Sequence, residues 1–402
     1  MDPRATPVAL EPPEGHEVAY EVSVVMPCLD EAETVASCIR KAQKALAAHG
    51  LRGEVIVADN GSTDGSREIA LRCGARVVRV AKKGYGAAIM GGVAAAQGTC
   101  VIIGDSDDSY DFGQLVPFVE KLREGYDLVM GCRFPGGRGQ IMPGAMPWTH
   151  RWIGTPVLTA IGRLFFRAPV SDVNCGLRAI RREAFGRLDL RMTGMEFASE
   201  MIIKAALRGL RITEIPIVLH KAGRSRPPHL RSWRDGWRHL RFMLLFSPRW
   251  LFLVPGGALF LLGIGAGALL MRGPVGVGSV YFDTNTLLVS AMAALVGFKL
   301  MAFAMFSKAF AVSAGLLPRD PRVERVLRVI TLEVGILLGL FVALGGLALL
   351  GAGLFYWQRH GFGSMSYPAS LRLIIPGVTA MTLGVEVVFS SFFVGVLGLS
   401  RK

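Results

Sequence analysis

The run Val101-Ile-Ile-Gly-Asp-Ser-Asp-Asp-Ser109 ends an apolar, strand-like stretch in an Asp-x-Asp loop. Hard divalent cations take oxygen ligands, and Mg2+ typically uses one or two protein carboxylates together with substrate phosphates. Asp105 and Asp107 could therefore hold a cation against a phosphorylated ligand. Short acidic loops after strands are common, so the reading depends on what stands beside them. Two other polar clusters follow apolar runs in the same way: Pro27 to Glu31, and Asp59-Asn-Gly61.

The elements that must position these clusters alternate. Strand-like runs at 22–27, 54–58, 76–80, 99–103 and 127–131 are separated by helical spacing at 32–48, 66–72, 87–96 and 114–122. Strands alternating with helices predict an α/β fold, Rossmann-like, with a doubly wound, mostly parallel sheet. Ligands then lie over the strand C-termini, where the three clusters fall.

The order of motifs is specific. Met26-Pro-Cys-Leu-Asp-Glu31, Val57-Ala-Asp-Asn-Gly-Ser-Thr-Asp64, Lys83-Gly-Tyr-Gly-Ala-Ala88 and Asp105-Ser-Asp107 resemble family 2 glycosyltransferases of the GT-A fold. Gly131-Cys-Arg-Phe134, Trp148-Thr-His-Arg151, Asp172-Val-Asn-Cys-Gly-Leu-Arg178 and Gly194-Met-Glu-Phe-Ala-Ser-Glu200 are similar to the polyprenyl-phosphate branch, which includes dolichol-phosphate mannose and glucose synthases. The resemblance covers roughly residues 21 to 250. It implies inverting transfer of one hexose from a nucleotide-diphosphate sugar, UDP-glucose or GDP-mannose in type, to a polyprenyl phosphate, with Mg2+ or Mn2+.

The resemblance also implies roles. Pro27, Glu31, Asp59, Gly84, Gly86 and Asp105 would contact the nucleotide sugar, and Asp105 and Asp107 the metal. Lys221, Arg224 and Arg226 lie in a basic loop that could close over the diphosphate. Arg133 and Arg151 match the arginines for the acceptor phosphate, the alternative being solvated or lipid-facing charges, and Asp172 would either orient acceptor-site groups or cap a turn. An arginine fork suits phosphate oxygens, and an already ionised lipid phosphate needs positioning more than a base. Two positions depart from the family: Asn60 stands where a second aspartate is usual, and Ser109 where a mannose synthase has a metal-binding Gln. From the residues alone, Glu31 and Asp59 also read as a helix-start acid and a turn residue. Gly84 and Gly86 equally read as shaping a strand–helix turn, and Glu196 and Glu200 as site or anchor residues.

Hydrophobic residues make up 51% of the 402, and mean hydropathy is +0.41. The excess lies beyond Leu251. Four stretches, about 250–271, 284–311, 327–357 and 372–399, are long enough to cross a bilayer, which takes about 20 residues. Expected domains are a disordered tail (1–20), a GT-A domain (21–230), an interfacial amphipathic helix (231–249) and an all-α transmembrane domain (250–402). Trp148 to Phe166 could form a second interfacial helix. The first residues lack an apolar signal-peptide core.

The net charge is +14, with basic, acid-poor stretches at 128–171 and 220–249. Beside membrane spans these suit lipid phosphates. Nucleic acid is not expected, having only the charge in its favour. The six cysteines form no Cys-x-x-Cys pair, as in a reducing compartment. Arginines in 318–328 and Arg401-Lys402 place the GT-A domain and C-terminus in the cytoplasm, at the inner (plasma) membrane. Homo-oligomerisation is allowed. Lys299 and Glu386 fall near the middles of the second and fourth spans; pairing is the expectation, against a polar lining for lipid passage or a Glu386 kept neutral by desolvation. A processive polysaccharide synthase is the rival, but Phe246 fills the Gln position of its Gln-x-x-Arg-Trp motif before Arg249-Trp250. A non-catalytic lipid-binding scaffold would not need Asp105 and Asp107.

Overall fold

The computed structural model describes residues 20–227, 231–315, 317, 331–363 and 366–399. The expected tail, the arginine-rich stretch 318–328 and Arg401-Lys402 lie outside the described residues, apart from Tyr20. The chain divides into two compact units, Met1–His239 and Leu240–Lys402.

In the first unit the strand–helix alternation runs β1 (Val22–Cys28), α1 (Val35–Ala48), β2 (Gly53–Asp59), α2 (Ser66–Arg72), β3 (Arg76–Arg79), α3 (Tyr85–Ala95), β4 (Cys100–Ile103), α4 (Val116–Arg123) and β5 (Leu128–Cys132). There follow β6 (Gln140–Ile141), α5 (Thr155–Phe166), β7 (Arg178–Arg181), α6 (Arg182–Arg187), α7 (Phe197–Leu207), β8 (Ile212–Pro216), β9 (Val218–Leu219) and α8 (Ser232–Leu245). The main sheet has the order β3-β2-β1-β4-β7-β5-β8. All its strands run one way except β7, which is antiparallel to both β4 and β5. Val24, Val25, Ile56, Val57, Val101, Ile102 and Val129 are fully buried, as near-continuous apolar runs require when helices cover both sheet faces.

Register sets the site. Cys28 pairs with Asp59 and Val25 with Ile103, so the loops leaving β1, β2 and β4 emerge side by side. Along α8, Asp235, His239, Phe242 and Met243 are buried while Trp233 and Trp237 are exposed. Around α5, Trp148, Trp152, Ile153, Val157 and Leu164 are exposed.

The second unit holds α9 (Val254–Leu270), a short hairpin of β10 (Val275–Val277) and β11 (Val280–Phe282), α10 (Thr284–Ser313), α11 (Leu332–Arg359) and α12 (Tyr367–Leu399). Four helical segments, Arg249–Leu270, Thr284–Ser313, Leu332–Arg359 and Pro368–Val396, are long and apolar enough to cross a membrane. Glycine lets pairs of them touch along their backbones. A Cβ on Gly297 would lie 2.6 Å from Gly256 O, joining α9 to α10, and one on Gly339 would lie 2.6 Å from Gly384 O, joining α11 to α12. Lys299 Nζ and Glu386 Oε1 pair at 3.2 Å between α10 and α12, with the Lys299 side chain 62% exposed. Arg372 of α12 makes a second ion pair, at 2.5 Å, with Asp283, which immediately precedes α10.

Candidate active site

The Asp-x-Asp loop leaves β4 beside the end of β1. Ser106 Oγ donates to Pro27 O at 2.7 Å, and Thr34 Oγ1 donates to Ser106 O at 2.7 Å. Asp105 Oδ1 accepts from the Tyr85 hydroxyl at 2.9 Å. Burial, with the Asp107 charge adding to it, pushes the Asp105 carboxyl up to about 6. Asp107 Oδ1 accepts from the amide and the hydroxyl of Ser109 at 3.0 and 2.5 Å. Ser109 thus orients Asp107. Asp108 turns away to Lys41 and Ser37 of α1, at 2.8 and 3.1 Å.

Residues 220–226 close on this loop. His220 N donates to Ser109 O and Gly223 N to Asp107 O, each at 2.9 Å. Arg224 bridges two acids: Nη1 lies 2.6 Å from Glu31 and Nη2 3.2 Å from Asp107. Arg226 lies 2.6 Å from Glu31 and donates to the carbonyls of Leu29 and Asp30 at 2.8 and 2.7 Å. Burial pushes the Glu31 carboxyl up, and the two guanidiniums pull against it. Lys221 is exposed in the same segment.

Asp59 is engaged with its own turn, accepting from the amides of Gly61 and Ser62 at 3.2 and 2.9 Å. Its neighbour Asn60 has a role that an aspartate could not fill. Nδ2 donates to Val80 O and Lys82 O, while Oδ1 accepts from Gly84 N at 2.7 Å. The amide thereby ties the end of β2 to the loop that opens α3. Gly84 and Gly86 are required there by a different segment. A Cβ on Gly84, whose φ is +130, would sit 2.1 Å from Thr193 O, and one on Gly86 would sit 2.4 Å from Met192 O. Their freedom from side chains admits the 192–194 loop.

Arg133 and Asp172 form a buried fork. Nε and Nη2 of Arg133 donate to Asp172 at 2.6 and 2.8 Å, and the Arg133 amide donates to it at 3.2 Å. Arg133 is 8% exposed and Asp172 fully buried. Arg133 Nη1 reaches toward the Tyr110 hydroxyl at 3.5 Å. Burial of His150, with the Arg133 charge adding to it, holds the imidazole below its usual range. Arg151, next to His150, is half-buried and lies 5.5 Å from the centre of the Trp152 ring.

The structure thus gathers Pro27, Glu31, Asp59, Asp105, Asp107, Arg224 and Arg226 around the β1, β2 and β4 ends, and joins Arg133 to Asp172 separately. Sequence reasoning missed Tyr85, Tyr110 and Arg178. Tyr85 lies between the two singled-out glycines, a signal that could have found it. Buried Arg178 donates to Cys175 O and, at 3.2 Å, to Ala198 O.

Oxygen donors alone suit a hard divalent cation. Asp105 and Asp107 supply two carboxylates in one loop, and a guanidinium is already drawn to Asp107. Among the described residues no group of three or more His, Cys, Asp or Glu forms a closed metal cage. A site completed by substrate phosphates has that composition.

Comparison with known proteins agrees with this architecture. Residues 23–189 match the model for glycosyl transferase family 2, and residues 305–398 match the glycosyltransferase family 2 C-terminal transmembrane region. The low-salt glycan biosynthesis hexosyltransferase of Haloferax volcanii is 39% identical over 95% of this chain and 90% of its own. A dolichyl-phosphate hexose transferase of the same organism is 32% identical over 49% of this chain and 82% of its own. Among solved structures, glucosyl-3-phosphoglycerate synthase from Mycobacterium tuberculosis, in complex with Mn2+ and UDP-glucose, aligns at 25% identity with a TM-score of 0.44. The alignment covers 56% of this chain and 78% of that one. With a mostly parallel sheet in its first unit and four potential membrane spans in its second, this chain is a membrane protein and an enzyme belonging to glycosyltransferase family 2.

Proposed function

We propose that the protein transfers one hexose, with inversion, from a nucleotide-diphosphate sugar of the UDP-glucose or GDP-mannose type to a polyprenyl phosphate. The observation that carries this reading is the convergence of Asp105, Asp107, Glu31, Arg224 and Arg226 over the strand ends. Acids and guanidiniums in one place suit a ligand that brings both a cation and a diphosphate. The dolichyl-phosphate hexose transferase among the relatives supports a lipid phosphate acceptor.

In this reading Asp105 and Asp107 would hold Mg2+ or Mn2+, which would supply charge neutralisation for the departing diphosphate. Pro27, Glu31 and Asp59 lie where the nucleoside would sit, with Gly84 and Gly86 shaping that wall. On donor binding, Arg224 and Arg226 exchange their carboxylate partners for diphosphate oxygens, and Lys221 adds charge to the same segment. A lipid phosphate oxygen attacks the anomeric carbon as the bond to the diphosphate breaks. Arg133, braced by Asp172, and Arg151 hold the acceptor phosphate for that attack, the work being orientation and electrostatics. The exposed tryptophans of the α5 region and of α8 rest in the headgroup layer. The catalytic domain (21–230) and C-terminus then face the cytoplasm at the inner membrane, with residues 231–249 as an amphipathic helix at the membrane surface and 250–402 as the transmembrane domain.

A donor screen tests the reading. Purified full-length protein is incubated with polyprenyl phosphate, Mn2+ and single nucleotide sugars, and the extracted lipid is weighed by mass spectrometry. A polyprenyl phosphate heavier by one hexose is expected with one donor class. Free sugar without glycolipid, or glycolipid carrying several sugars, contradicts it.

A further inference from the structure

The two carboxylate oxygens of Asp107 have different kinds of partner. Oδ1 accepts from the amide and the hydroxyl of Ser109, within its own loop. Oδ2 faces Nη2 of Arg224 at 3.2 Å, from a segment far along the chain. The Arg224 side chain is 15% exposed and that of Asp107 12%, so little water screens the pair.

The segment is fastened on both sides of Arg224 by contacts that do not use its side chain. Gly223 N donates to Asp107 O at 2.9 Å. The amide and hydroxyl of Ser225 donate to the Glu33 carboxylate at 2.6 and 2.5 Å. A Cβ on Gly223 would lie 3.1 Å from Thr34 Cγ2, so the backbone packs on the turn before α1. The guanidinium can therefore leave Asp107 while its backbone stays in place.

A divalent cation and the Arg224 guanidinium seek the same carboxylate. A cation arriving alone must displace Arg224, which keeps only Glu31, and Glu31 Oε1 is already shared with Arg226. A diphosphate changes that balance, because its oxygens suit a guanidinium fork. We propose that Arg224 is a resident competitor of the metal: it holds Asp107 until a nucleoside diphosphate draws it away, so that the cation binds firmly only together with the nucleotide. The proposal rests on the nucleotide-sugar reading above and goes beyond it, making one arginine the coupling between two ligands. Metal affinity is then reduced by the fraction of molecules in which Arg224 occupies Asp107. Removing Arg224 acts with opposite signs on the two ligands, tightening the cation and weakening the diphosphate, which the loss of a merely structural contact does not do.

The test measures the cation alone. Binding of MnCl2 to the full-length protein in detergent is read from the EPR signal of free Mn2+, without nucleotide and then with UDP or GDP against a protein-free control. Arg224→Ala should tighten Mn2+ alone about tenfold, the worth of a contact between charged groups. Arg226→Ala removes an equal charge from Glu31 without touching Asp107, and should change Mn2+ alone by less than about threefold. Adding Asp107→Ala to Arg224→Ala should abolish the gain. Unchanged Mn2+ affinity in Arg224→Ala, equal gains in Arg224→Ala and Arg226→Ala, or a gain that survives Asp107→Ala overturns the proposal. Each of these leaves the nucleotide-sugar reading standing, provided that wild type binds UDP or GDP with Mn2+. A wild type that binds neither nucleotide with Mn2+ overturns both. If Arg224→Ala does not fold, Arg224→Gln carries the same comparison.

Discussion

Asp172→Ala should damage the protein more than its distance in sequence from the acidic loops suggests. Asp172 takes three donors from Arg133, at 2.6, 2.8 and 3.2 Å, and both side chains are almost wholly buried. Removing the carboxylate strands a guanidinium away from water, which costs about 3–5 kcal/mol. For a unit of this size each kcal/mol moves the melting temperature by about 2–4 °C, so a fall of about 6–20 °C is expected. Replacing both residues, as Arg133→Met with Asp172→Leu, should restore most of that loss, because no lone charge remains. Transfer to lipid should not return with it if Arg133 holds the acceptor phosphate. The assay pairs tryptophan-fluorescence melting of the full-length protein with lipid-dependent turnover. A melting temperature for Asp172→Ala within about 2 °C of wild type refutes the energetic reasoning. Full activity in the double variant refutes the acceptor role of Arg133.

Other outcomes follow from the same geometry. Arg224→Ala should leave the fold intact, because the segment keeps its Arg226 and Ser225 contacts, yet weaken nucleoside diphosphate binding about tenfold, read by calorimetry. Single changes Lys299→Met or Glu386→Leu should each lower thermal stability in detergent more than the two together, since the pair at 3.2 Å leaves a lone charge when cut; a double variant less stable than both singles contradicts the pairing. His239 is buried beside Ser199 at 2.7 Å, and burial lowers its pKa to about 4. The unfolded chain therefore binds the extra proton first: stability is complete above about pH 6.5 and falls as pH drops toward 4, by about 1.4 kcal/mol per unit. His239→Gln should flatten that slope in melts between pH 7 and pH 4.5.

The parallel half of the sheet was legible because β1, β2 and β4 are largely buried apolar runs and its strands alternate with helices. β7 was not. Its four residues, Arg178–Arg181, begin and end in arginine, and local sequence carries no signal for a reversed strand inserted between β4 and β5. The Asp105 and Asp107 loop was visible as an acidic cluster after an apolar strand. That Arg224 and Arg226 belong to the same site came from the family resemblance alone; their ion pairs with Glu31, across more than 190 positions of chain, had no local signal. Gly84 and Gly86 were noticed for a nucleotide or a strand–helix turn, and nothing in the sequence hinted that the 192–194 backbone packs against them. Asn60 looked like a departure from a paired aspartate. Only the two carbonyls and the amide around it show why an amide side chain suits the place.

The most direct measurement follows one hexose into lipid. Full-length protein, polyprenyl phosphate, Mn2+ and a radiolabelled nucleotide sugar are combined, and label is counted in the organic phase with and without EDTA, for wild type and for Asp107→Ala. Label should enter the lipid only with wild type and metal, return when Mn2+ is restored, and stay in the aqueous phase with a folded Asp107→Ala. Undiminished lipid labelling in excess chelator, or by Asp107→Ala, would contradict the account at its centre.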